Sequence, residues 1–221
     1  MHYELSSLSI GYKKKVVAAG ISKTLCPGSM TCLIGRNGTG KSTLLRTMAG
    51  FQPPISGSLT IGERDVTQMT AIERARLISV VLTDRVDVQG MTVTDLVSMG
   101  RQPYTGFFGQ MAASDEMIVA EALQQVGMTD FAGRQVSTLS DGERQKVMIA
   151  KALAQQTPFI LLDEPTAFLD YPSKQETLSL LSRLCHDEKK SVLVSTHDLD
   201  VALKITDEVW EMEKLQDTMI K

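Results

Sequence analysis

"GRNGTGKST", Gly35 to Thr43, decides the reading of this chain. It fits G-x-x-x-x-G-K-[ST] and stands between an apolar run, Met30 to Ile34, and a helical one opening at Leu44-Leu45-Arg46. A phosphate-binding loop requires that strand–loop–helix setting. Gly35, Gly38 and Gly40 let the backbone fold tightly, so that N–H groups converge on a phosphate. Lys41 can then neutralise the β- and γ-phosphates of a nucleoside triphosphate, and Ser42 offers a hydroxyl to Mg²⁺.

"FILLDEP", Phe159 to Pro165, supplies the second half of such a site. Its four leading apolar residues read as a buried strand, which sets Asp163 and Glu164 at the C-terminal end, where open α/β sheets place ligands. Two adjacent acids there divide the work. Asp163 would hold Mg²⁺ through water, and Glu164 would polarise the water that attacks the γ-phosphate.

Outward from these motifs, "YELSSLSI", "MTCLIG" and "SLTIG" read as short β runs in the first sixty or so residues. From about Thr94 to Gln156 the apolar residues recur three and four apart, in "TVTDLVSMGR", "DEMIVAEALQQVGM" and "GERQKVMIAKALAQQ". Strand character returns in "FILLDE" and "SVLVSTHD", on either side of the helical "PSKQETLSLLSRLCHDE". Strands alternating with helices predict an α/β core with a parallel sheet. The expected architecture is a P-loop NTPase core, about 1–83 and 155–221, with an N-terminal antiparallel β portion. A helical subdomain, about 84–154, is inserted into it.

Composition narrows the function classes. The chain has 221 residues, 43% hydrophobic and 22% charged, with net charge −3 and a pI near 5.7. There is no broad basic field for holding nucleic acid. Cys26, Cys32 and Cys185 match neither a zinc spacing nor a disulfide framework, which suits a reducing compartment. The start, Met1-His2-Tyr3-Glu4-Leu5, lacks the pattern of a signal peptide, and no stretch reaches the roughly 18 apolar residues of a membrane span. A membrane role is expected only through a partner.

"LSDGERQKVMIAKAL", from Leu139, carries a second helix start that exposes backbone N–H groups and so invites an anion. Ser140 and Glu143 also satisfy S-x-x-E, the capping box of an ordinary helix. Its company decides between the two readings. In order along the chain, these motifs resemble those of the ATP-binding subunits of ABC transporters. "GRNGTGKST" is similar to their Walker A, "LSDGE" to their signature motif and "FILLDE" to their Walker B. "AFLD", Ala167 to Asp170, is similar to the D-loop and "STHD" to the switch histidine, His197. The likeness covers about residues 3 to 212.

That resemblance implies ATP and Mg²⁺ as ligands. Gly35, Asn37, Gly38, Gly40, Lys41, Ser42 and Thr43 would cradle the phosphates, and Tyr12 would stack on adenine. It implies two copies packed head to tail, so that Ser140 and Gly142 serve the nucleotide held by the partner chain, and it counts Asp170 of the D-loop among the nucleotide-binding residues. His197 would contact the γ-phosphate and join Glu164 in catalysis. "VTDLVSMGRQPYTGFFGQ" is similar to subunits that energise uptake of iron chelates, haem and vitamin B12, the likeness lying in Arg101, Pro103, Tyr104 and Gly106. The implied partners are a membrane permease and, through it, an extracytoplasmic binding protein. The implied location is peripheral, on the cytoplasmic face of the membrane.

The other reading is a soluble ABC-type ATPase not attached to a transporter. Against it stand the single ATPase unit and the lack of a coiled-coil insertion or basic face. Three departures from the family pattern are visible. Asp141 replaces a glycine of the signature, with its side chain expected to point away from phosphate. The family's Q-loop glutamine is replaced by Thr83 or supplied by Gln89. The chain ends at "EVWEMEKLQDTMIK", where relatives usually continue.

Overall fold

Three strands are buried at every position: β3 (Met30–Ile34), β7 (Phe159–Asp163) and β8 (Ser191–Thr196). Strands buried along their whole length belong to a sheet covered on both faces. The computed structural model, which describes residues 1–12, 15–82, 90–106, 109–167, 169–197 and 206–216, places them at the centre of a five-stranded sheet. Its order is β6-β7-β8-β3-β9, with β6 (Ile78–Val81) and β9 (Glu208–Glu211) at the edges and every pairing parallel.

A second, four-stranded antiparallel sheet has the order β2-β1-β4-β5. It is built from β1 (Tyr3–Tyr12), β2 (Lys15–Leu25), β4 (Ser56–Ile61) and β5 (Arg64–Asp65). The expected N-terminal β portion and parallel core are both present.

Successive side chains of a strand point to opposite faces, and the two faces of the parallel sheet serve different cores. Phe159, Leu161, Leu193 and Leu33 pack with Leu44, Leu45 and Met48 of α1 (Lys41–Met48) and with Tyr3, Leu8 and Leu59 of the antiparallel sheet. Ile160, Leu162, Val192 and Val194 pack instead with helical residues. These are Val97 of α3 (Val93–Ser98), Leu123 of α4 (Ala113–Gln125), Val147 of α5 (Asp141–Ala154) and Leu181 of α6 (Tyr171–Glu188). α2 (Ala71–Ala75) precedes β6, and α3 to α5 lie in the chain between β6 and β7. A last short helix, α7 (Met212–Gln216), follows β9. Thr83 and Gln89, the two alternatives for the Q-loop, lie outside the described residues.

The stretch around Arg101 folds into a clasp. A Cβ on Gly100 would stand 2.4 Å from Lys151 O, so only glycine permits this approach to α5. The buried Arg101 guanidinium then donates to Asp115 Oδ1 at 2.8 Å, Ala154 O at 2.7 Å and Gln156 Oε1 at 3.0 Å, and stacks 4.1 Å from the Tyr104 ring. Tyr104 itself donates to Gln155 O at 2.9 Å. Two of these acceptors are carbonyls at the end of α5 that have no partner within the helix. The Ala112 N–H, and then Arg101, hold the Asp115 carboxyl below its ordinary range.

Candidate active site

Parallel pairing sets the C-terminal ends of β3, β7 and β8 side by side. Ile34 is level with Thr196, and Asp163 with Ser195. The residues that leave these ends, Gly35 onward, Glu164 and His197, therefore share one edge of the sheet.

The loop entering α1 is held open by conformation. Gly38 (φ 82°) and Gly40 (φ 105°) occupy the left-handed region, and a Cβ on Gly40 would also stand 2.4 Å from Val17 Cγ1 on β2. Lys41 is buried at 5% exposure and curls back across the loop, donating to Gly35 O at 2.8 Å and Arg36 O at 3.3 Å. Its ammonium lies 3.5 Å from Glu164 Oε1, and Glu164 Oε2 lies 3.3 Å from His197 Nδ1. Ser42 is exposed on the first turn of α1, which carries no acidic residue. The positive end of that helix thus stays available to an anion. Tyr12 is half exposed at the end of β1, and its hydroxyl accepts from Thr43 Oγ1 at 3.3 Å, beside the loop.

Asp163 is buried, with Oδ1 accepting from Ser195 Oγ at 2.7 Å. The backbone then turns sharply: Glu164 has φ 46°, a left-handed geometry that is rare without glycine. Its N–H donates to Ser195 Oγ at 3.0 Å. The turn aims the Glu164 carboxylate at Lys41 and His197 rather than along the strand.

Sequence reasoning missed two contributors. Ser195 lies within "STHD", but its facing Asp163 depends on strand register, which no motif encodes. Glu213 on α7 accepts the Arg36 N–H at 2.9 Å through Oε1. That N–H holds the Glu213 carboxyl below its ordinary range, with smaller help from the Arg36 and Lys41 charges. Glu213 and the buried Met212 form the outer wall of the loop, each within 3.1 Å of where a Gly35 Cβ would stand.

Ser140, Gly142 and Asp170 form a separate group. Ser140 caps α5 through a full capping box: its Oγ accepts from Glu143 N at 3.3 Å, while Glu143 Oε2 accepts from Ser140 N at 2.8 Å and Oγ at 2.9 Å. Asp170 caps α6, accepting from Ser173 N at 2.9 Å. A Cβ on Gly142 would stand 3.5 Å from Leu169 Cδ2, so the starts of α5 and α6 meet. Asp141 is exposed in the first turn of α5.

A phosphate loop at the end of a parallel sheet, an acid pair on the neighbouring strand and a histidine on the next define a P-loop ATPase of the ATP-binding-cassette class. Comparison with known proteins agrees. Residues 18–167 match the ABC transporter family. The chain is 39% identical over 203 residues to an uncharacterized ABC transporter ATP-binding protein of Methanocaldococcus jannaschii, covering 92% of this chain and 70% of that one. It is 36% identical to the petrobactin import ATP-binding protein of Bacillus anthracis, covering 96% and 78%. Against the iron(3+)-hydroxamate import ATP-binding protein of Bacillus subtilis the identity is 37%, covering 90% and 74%.

Among solved structures, an ABC transporter in an inward-facing conformation superposes with a TM-score of 0.85 at 28% identity, covering 96% of this chain and 80% of that one. A dimeric ATP-binding cassette bound to ADP and Pi gives 0.82 at 25% identity, covering 95% and 93%. The chain belongs to the ABC transporter family, as the ATP-binding, ATP-hydrolysing subunit that energises an importer.

Proposed function

We propose that this subunit drives the uptake of an iron(III)-siderophore, haem or cobalamin. Relatives named for petrobactin, iron(3+)-hydroxamate and cobalamin import support this cargo class, in line with the resemblance carried by Arg101, Pro103, Tyr104 and Gly106. Two copies pair head to tail on ATP. The pair engages permease subunits at the cytoplasmic face of the membrane, and an extracytoplasmic binding protein delivers the cargo. Residues about 1–83 and 155–221 serve as the nucleotide-binding core, and 84–154 as the helical subdomain. Among the described residues no helix is long and apolar enough to cross a membrane, which accords with a peripheral subunit.

In this reading Lys41 neutralises the β- and γ-phosphates, the Gly35 to Thr43 backbone cradles them, and Tyr12 stacks on adenine. Glu164 takes a proton from the attacking water, while His197 orients both Glu164 and the γ-phosphate. A buried carboxylate on Asp163 and an exposed hydroxyl on Ser42 are the hard oxygen donors that Mg²⁺ prefers, so the site suits that ion. When bound, Mg²⁺ spreads the negative charge of the β- and γ-phosphates. Ser140, Gly142 and Asp170 act in trans, on the nucleotide of the other copy.

The observation that carries this reading is the run of contacts from Lys41 through Glu164 to His197 at the mouth of the loop. Two experiments test it. Glu164→Gln is expected to bind ATP and form a stable dimer by light scattering, with turnover nearly abolished; Lys41→Ala is expected to lose ATP binding. Wild-type turnover in Glu164→Gln removes Glu164 from its role. For the transport assignment, affinity capture of the tagged chain from membranes of the source cell is expected to recover a many-helix permease. Recovery of only soluble partners refutes the importer assignment.

A further inference from the structure

We infer that Ser195 is a positioning residue for hydrolysis, setting the metal-binding carboxylate and the general base from one hydroxyl. The inference rests on the roles proposed above for Asp163 and Glu164. Ser195 is completely buried, opposite Asp163 in the parallel register of β7 and β8. Its hydroxyl proton goes to Asp163 Oδ1 at 2.7 Å, while its oxygen receives the Glu164 N–H at 3.0 Å.

Both contacts matter for reasons visible in the geometry. A buried carboxylate with a committed hydrogen bond has a defined orientation, so the donation to Asp163 limits how its oxygens present to a cation. Glu164 has φ 46°, a backbone state that persists only where the surroundings hold it. The Ser195 oxygen fixes the N–H at the start of that turn. The turn in turn delivers the Glu164 carboxylate to within 3.5 Å of Lys41 Nζ and 3.3 Å of His197 Nδ1. Without the hydroxyl, Asp163 loses a donor and the Glu164 N–H an acceptor at one stroke.

The test compares Ser195→Thr with Ser195→Val, two side chains of nearly the same shape that differ in the hydroxyl, with Ser195→Ala as the smaller variant. Ser195→Thr is expected to keep kcat within about threefold of wild type, while Ser195→Val and Ser195→Ala lose about tenfold or more. KM for ATP is expected to stay unchanged in all three. The Mg²⁺ concentration that half-saturates the tightening of a fluorescent ATP analogue is expected to rise in Val and Ala only. Thermal melts on the same samples read the structural contribution separately, and kcat is taken per folded chain.

Equal kcat and equal Mg²⁺ response in Thr and Val, or in Ala and wild type, overturn the inference. Glu164→Gln run in parallel separates the two levels. If Glu164→Gln is inactive and Ser195→Ala turns over normally, only the Ser195 assignment falls. If Glu164→Gln turns over normally, the reading beneath it falls as well.

Discussion

Glu213 lies outside every motif in the sequence, yet its carboxylate holds the Arg36 N–H of the phosphate loop at 2.9 Å. Its effect on ATP has two opposing parts. The hydrogen bond braces the loop, and the negative charge repels the phosphates that the loop receives. Glu213→Ala removes both and is expected to weaken ATP binding by less than about tenfold, the loss of one hydrogen bond being partly offset by relief of the repulsion. Glu213→Gln keeps the acceptor and removes the charge, so it is expected to bind ATP at least as tightly as wild type. Titration with a fluorescent ATP analogue checks both. If Gln binds as weakly as Ala, a retained acceptor does not brace the loop and the hydrogen-bond account of Glu213 fails.

At the scale of elements, the capping box of α5 gives a signed pH dependence. Accepting the Ser140 N–H, and then its hydroxyl, holds the Glu143 carboxyl below its ordinary value. Its contribution is therefore complete above the ordinary glutamate value of about 4.3 and is lost as the pH falls through the lower folded value. The side chain is 29% exposed, so solvent screening keeps the effect below about 1 kcal/mol. At neutral pH Glu143→Ala is expected to melt below wild type by no more than about 2–4 °C. The two melting curves are expected to converge as the pH drops below about 4. A gap that persists unchanged into acid would show that Glu143 acts through packing. The same box constrains function, because the Ser140 hydroxyl already donates to Glu143 and must turn away from it to meet a phosphate.

At the scale of the whole molecule, the site residues fall into two groups: Lys41 with Glu164 and His197, and Ser140 with Gly142 and Asp170. Two chains facing head to tail would bring one group of each to one group of the other, with ATP between them. Bound nucleotide then stabilises the dimer by mass action, and hydrolysis withdraws that stabilisation. Mixing Lys41→Ala with Ser140→Ala chains leaves one composite site wholly wild type in the heterodimer. The ATPase rate of the mixture is expected to exceed the mean of the two pure variants. A rate equal to that mean at every ratio, with heterodimer confirmed by differential tags, rules out shared sites.

Much of this protein was legible in its sequence. The phosphate loop is local: glycines with positive φ, a lysine and a hydroxyl must stand at set spacings within nine residues, so composition and order reveal it. Strand β7 declares itself by the apolar run Phe159 to Leu162, β8 by the shorter Val192 to Val194, and the α5 cap by S-x-x-E. Arg101 to Gly106 was legible only as a family likeness. Its physical reason, a buried guanidinium closing the end of α5 against Asp115, needs partners up to 55 residues away. Ser195 and Glu213 were not legible at all. Serine beside a strand end and glutamate in a short helix are common. What gives each its work is strand register in one case, and the packing of α7 against the loop, 177 residues distant in the chain, in the other. Chemistry carried by neighbours in the chain is written in the sequence. Chemistry that depends on which distant backbone N–H or carboxylate a side chain meets is decided only when the sheets close.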